Sequence, residues 1–143
     1  MKANELRLGN YVFYGAPING GCVEVHSIKI LTHRIDINGR PQSYFEPIPL
    51  TEEILFKCGF EKVKNKDKED LREYIGHTVQ KARYAIFDTD IFITKVDKRG
   101  LLHRSIDCDF MVLFYHKSIP IKYLHQLQNL YFALTGQELE INL

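Results

Sequence analysis

The run Ile121-Lys-Tyr-Leu-His-Gln-Leu-Gln-Asn-Leu-Tyr-Phe-Ala-Leu-Thr-Gly136 constrains the fold of this chain more than any other stretch. On a helical projection of about 100° per residue, Tyr123, Leu124, Leu127, Leu130, Tyr131 and Leu134 share an arc of roughly 120°. Lys122, Gln126, Asn129 and Ala133 fall opposite. This spacing predicts an amphipathic helix laid on a core. Pro120 stands just before the first predicted turn, where its missing N–H is tolerated, and Gly136 suits the left-handed residue beyond the last turn. A second stripe, Ile121, His125, Gln128 and Phe132, runs at three- and four-residue steps outside the main arc. It has two readings. Either the rest of the chain covers it, or it is an interaction surface for a second copy or a protein partner, since aromatic residues are enriched at interfaces.

A helix of this kind needs further layers to cover it, and 143 residues suffice for a core in one domain or two small ones. Residues 5–48 supply short β-type runs at Tyr11–Tyr14, Val23–Ile28 and Arg34–Ile37. They are divided by the glycine-rich stretch from Gly15 to Gly21 and by Asn38-Gly39, a hairpin signal because both residues tolerate positive φ. Gly9-Asn-Tyr-Val12, then Gly20-Gly21, Val23 and Ile28, resembles the start of an SH3-like barrel, so a small β-barrel-like unit is expected over 1–48.

Pro47 and Pro49 separate this unit from residues 49–143. Thr51 is an N-cap signal, Glu52 and Glu53 complement the helix dipole, and Gly59 followed by Phe60 predicts a Schellman ending. Leu139, Ile141 and Leu143 alternate as in a short final strand, and Leu71–Ile75 suggests a helical turn. Further β runs at Arg83–Phe87, Ile91–Val96, Leu101–His103 and Phe110–Tyr115 predict an antiparallel meander with the C-terminal helix packed on it. The expected class is α+β, with the two halves either separate or one continuous domain.

The composition, 45% hydrophobic and 26% charged, is that of a globular protein, and no apolar run approaches the ~18 residues of a membrane span. A net charge of +1 gives no global field to draw in nucleic acid, so such a role needs a local patch. Lys62, Lys64, Lys66 and Lys68 recur every second residue and would line one side of an extended chain, as a stripe for phosphates or as the guard of an edge strand. The latter is favoured by the neighbouring Asp67, Glu69 and Asp70. Tyr11, Phe13, Tyr14, Tyr44 and Phe45 are either stacking platforms for single-stranded nucleic acid or core.

The chemistry-bearing residues form no catalytic pattern. Asp88/Asp90 and Asp107/Asp109 are D-x-D pairs that would hold Mg²⁺ in a phosphodiesterase if they converged, but Asp is also the ordinary turn residue at such positions. Cys22, Cys58 and Cys108 are widely spaced and unaccompanied by a zinc-like histidine pattern, which reads as reduced thiols. No cofactor or metal site is therefore expected. Met1-Lys-Ala-Asn-Glu5 has no hydrophobic signal core, so the expected compartment is the cytoplasm.

Three segments carry a resemblance: Asn4-Glu-Leu-Arg-Leu-Gly-Asn-Tyr-Val12, Pro47-Ile-Pro-Leu-Thr-Glu-Glu53 leading to Gly59-Phe60, and His125-Gln-Leu-Gln-Asn-Leu-Tyr-Phe-Ala-Leu-Thr-Gly136 with Gln137-Glu-Leu139. Together they resemble a family of small uncharacterised bacterial proteins often encoded in prophages and other mobile elements. The family brings no known activity, so it implies context and no site residues: an accessory protein of a mobile element, in the cytoplasm. The combined expectation is a non-catalytic protein-binding or self-associating module. A nucleic-acid-binding protein is the alternative, and a metal-dependent phosphodiesterase the more distant one. No membrane partner is expected.

Overall fold

The structure is a computed structural model that describes residues 5–15, 20–63, 84–86, 89, 91–95, 108–114 and 117–143. It is an α+β protein of antiparallel sheets with one main helix near the C-terminus. The chain forms two compact units. The first joins Met1–Pro49 to Tyr123–Leu139 and Leu143, and the second is Leu50–Lys122 with Glu140–Asn142.

The first unit contains two three-stranded antiparallel sheets among its described residues. One has β1 (Tyr11–Tyr14) between β2 (Gly21–Glu24) and β6 (Phe45–Glu46). The other has β4 (Ile35–Ile37) between β3 (Ile28–Ile30) and β5 (Arg40–Pro41). The two sheets share one core of Leu6, Val12, Val25, Ile37 and Phe45, with Tyr14, Val23 and Ile28 packed against it. Asn38 (φ 50°) and Gly39 (φ 75°) make the turn of the β4–β5 hairpin, both in the positive-φ conformation that the dipeptide favours.

The expected single run Val23–Ile28 is broken. The Asn38 side chain accepts from the N–H groups of His26 (2.7 Å) and Ser27 (3.1 Å) and donates to the Glu24 carbonyl (2.7 Å). These bonds satisfy the backbone where the chain passes from β2 to β3, so no ladder is needed there. Among the described residues the sheets do not close into a barrel.

The second unit holds α1 (Glu52–Lys57) and a five-stranded antiparallel meander, in the order β11-β10-β9-β8-β7. Its strands are β7 (Glu61–Lys62), β8 (Tyr84–Ala85), β9 (Phe92–Lys95), β10 (Phe110–Phe114) and β11 (Lys117–Ile121). α1 follows its local signals: the Thr51 hydroxyl accepts from Ile54 N–H (3.2 Å), and Phe60 N–H donates back to the Leu55 carbonyl (3.0 Å) past Gly59 at φ 80°. β10 lies between β9 and β11, and its residues Phe110, Met111, Val112 and Leu113 are all buried, as a strand covered on both faces requires.

The C-terminal helix, α2, runs Leu124–Thr135 and ends at Gly136 with φ 72°. Its start and its place both differ from the expectation. Pro120 and Ile121 belong to β11, where Pro120 faces Met111 and Ile121 faces Phe110. The proline is tolerated because β11 is at the edge of the described sheet, where one side of the strand needs no ladder N–H. Tyr123 N–H is instead held by the Gln126 side chain (3.1 Å) as the helix opens. α2 belongs to the first unit, whereas the sequence pattern predicts it on the meander. The expected final strand over Leu139–Leu143 is absent: Leu139 is buried, Leu143 is exposed, and Asn142 N–H bonds to the Lys57 carbonyl (2.9 Å). The suggested turn at Leu71–Ile75 and the run Leu101–His103 lie outside the described residues.

Candidate functional site

The densest convergence of polar side chains joins α2 to the segment Glu5–Tyr11, within the first unit. Gln128 is buried and forms a two-way bridge: its Nε2 donates to the Gly9 carbonyl (3.0 Å) and its Oε1 accepts from Tyr11 N–H (2.9 Å). Asn129 donates to the Glu5 carbonyl (2.7 Å) and accepts from Arg7 Nε (3.1 Å) and Asn10 Nδ2 (2.9 Å). Asn10, fully buried, accepts from Arg7 N–H (2.8 Å). The Arg7 guanidinium meets both carboxylate oxygens of Glu138 and lies 4.2 Å from the centroid of the Phe132 ring. Its hydrogen bonds to Glu138 raise the Arg7 pKa and lower that of Glu138. Gly9 at φ 85° turns the segment so that its carbonyl reaches Gln128.

This arrangement decides the second stripe. Ile121, His125 and Gln128 are buried within the chain, Ile121 in β11 and the other two in α2, so they do not form an open interaction surface. Phe132 remains 39% exposed beneath the Arg7 guanidinium. Arg7, Asn10, Asn129 and Glu138 were not legible as partners, because Asn129 projects onto the polar side of the helix and Glu138 lies beyond its last turn.

Of the lysine stripe, Lys62 is described. It lies on β7 at the edge of the described meander, is ion-paired to Glu52, and has its Nζ 5.6 Å from the Phe56 ring centroid. Its hydrogen bond to Glu52 raises the Lys62 pKa and lowers that of Glu52. Lys64, Lys66 and Lys68 lie outside the described residues, as do Asp88, Asp90 and Asp107, while Asp109 is exposed. No group of three or more metal-ligating side chains converges among the described residues. Cys58 is buried, which pushes its thiol up to about 12, Cys108 is buried, and Cys22 is exposed on β2.

The N-terminal aromatics divide between core and surface. Val12 and Tyr14 face the shared core along β1, and Phe45 is buried in it. Phe13 points to the other face, 40% exposed, in register with Cys22 and Glu46. Tyr44 is 49% exposed, with its ring 6.4 Å from that of Tyr14, and Arg40 lies over Tyr14 at 5.7 Å from the ring centroid. Tyr44 and Arg40 are therefore exposed beside the half-buried Tyr14 ring, an aromatic ring and a guanidinium at the surface of the first unit. Compared with known protein families, curated proteins and solved structures, the chain matches none. No helix among the described residues is long and apolar enough to cross a membrane.

Proposed function

We propose that this protein is a non-catalytic binding module of a bacterial mobile element, acting in the cytoplasm through protein contacts or self-association. In this reading the contact is made by the N-terminal unit, an open relative of the SH3-like arrangement. The observation that carries it is the Tyr14–Tyr44–Arg40 cluster, which leaves aromatic and guanidinium surface exposed. Tyr and Arg are the residues most often found at the energetic centre of protein interfaces. The polar side chains around α2 support the same reading, since they are engaged with the chain's own backbone.

The test is sedimentation over a wide concentration range with the wild type and the Tyr44→Ala/Arg40→Ala double variant. Concentration-dependent association that the double substitution abolishes is the expected result, while a monomer at every concentration removes the self-association form. Binding of a single-stranded oligonucleotide that weakens steeply with salt, and is lost in the same variant, would replace the reading with the nucleic-acid one.

A further inference from the structure

One polar group in the α2 contact takes no part in its hydrogen bonding. The His125 ring is wholly buried, and among the described residues neither Nδ1 nor Nε2 has a hydrogen-bond partner. The ring is stacked on Tyr123, with centroids 5.7 Å apart and planes 11° from parallel. Its Nε2 is 3.9 Å from Glu5 Oε2, beyond hydrogen-bond length. One turn further along α2, Gln128 on the same stripe and its neighbour Asn129 hold the backbone of the segment that carries Glu5.

We propose that His125 is the acid-sensitive element of this lock: a neutral ring lets Glu5–Tyr11 stay docked on α2, and protonation of the ring releases it. The neutral ring stacks on Tyr123 as an apolar plate. The imidazolium would place a charge and two N–H donors where no acceptor among the described residues lies within bonding distance. Among the described residues the groups facing the ring are the Glu5 carboxylate, from the N-terminal segment, and Tyr123, from the start of the helix. The Arg7–Glu138 pair is closed on itself beside Asn129 and Phe132. Burial holds the His125 pKa below the ordinary histidine value; the Glu5 carboxylate, whose side chain is 41% exposed, attracts the proton more weakly, and the charge of the N-terminal amine works against it.

Because the docked ring takes its proton at lower pH than the released one, docking is at full strength above the ordinary value of about 6.5. It weakens as the pH falls from there towards the docked value, with a limiting slope of about tenfold per pH unit. Release takes away the backbone partners of Gln128 and Asn129 at the same time, so the segment leaves as a unit.

Hydrogen exchange of the Tyr11 amide reads the lock directly, because that N–H is bonded to Gln128 Oε1. Followed from about pH 7.5 to about pH 5 and corrected for intrinsic exchange, its opening constant is expected to rise below about pH 6.5, with a limiting slope of about tenfold per unit. His125→Phe keeps a ring against Tyr123 and takes no proton, so its profile is expected to be flat. Glu5→Gln lowers the docked value further and extends the loss to lower pH. A flat wild-type profile, or an equal rise in His125→Phe, overturns the proposal. Should His125→Phe not fold, the wild-type imidazole resonances decide. A His125 ring that titrates near 6.5 with the Tyr11 amide still protected overturns the proposal, and one that titrates only as protection is lost supports it.

Discussion

The α2 contact in the first unit and the meander of the second are held by different forces. α2 is gripped by side chains that bond to backbone far away in sequence, with Gln128 reaching Tyr11 across 117 positions and Asn129 reaching Glu5 across 124. The meander is held by continuous ladders between neighbouring strands, and its central strand β10 buries apolar side chains on both faces. Directional bonds of the first kind are lost as soon as one partner changes, and the orphaned group stays buried. Apolar packing of the second kind tolerates changes of shape that roughly keep its volume. A single polar residue is therefore expected to matter more in the first unit than a comparable apolar one in the second.

The sharpest way to break this contrast is to substitute one residue of each kind. Gln128→Leu keeps the size but orphans both Tyr11 N–H and the Gly9 carbonyl, and is expected to cost about 3 kcal/mol in urea denaturation. Ile93→Val, at an equally buried site in β9, is expected to cost about 1 kcal/mol. Equal losses would mean that the lock contributes no more than ordinary packing. Thr51→Ala removes the N-cap bond of α1 and should also cost about 1 kcal/mol, measured the same way. A loss near zero there would show that α1 is held by its packing and not by its local cap.

The smallest perturbation is chemical labelling, which leaves the fold intact. Cys22 on the surface of the first unit should alkylate at once near neutral pH. Cys58, buried with its thiol pushed up to about 12, should react only as the second unit opens. Labelling of Cys58 at the Cys22 rate would mean that α1 opens freely.

The two helices show what could be read in the sequence. α1 was legible throughout because each of its signals is local: a cap at Thr51, acids in the first turn, and a glycine ending with Phe60 folded back. The Asn38-Gly39 turn and the meander were legible for the same reason, since turn residues and alternating runs are read within a few positions. α2 was legible as a helix and at its glycine end, but not at its start. Pro120 suits the first turn of a helix and the edge of a sheet equally well, and pairing with Met111 selected the strand. Nor does helical periodicity distinguish an asparagine that faces water from one that holds a distant backbone, so Asn129 was placed on the polar side.

By itself, the sequence determined the α+β class, the antiparallel sheets, the well-capped α1 and the amphipathic α2. These follow from patterns repeated over a few residues, where backbone geometry ties spacing to structure. Only the tertiary structure decided that α2 groups with the N-terminal sheets and that His125 and Gln128 of its second stripe are buried, Gln128 on the backbone of Gly9 and Tyr11. Only it left a buried histidine there without a hydrogen-bond partner among the described residues. Those outcomes rest on hydrogen bonds and burial between segments more than a hundred residues apart, and such pairings leave no periodic trace in the order of the amino acids.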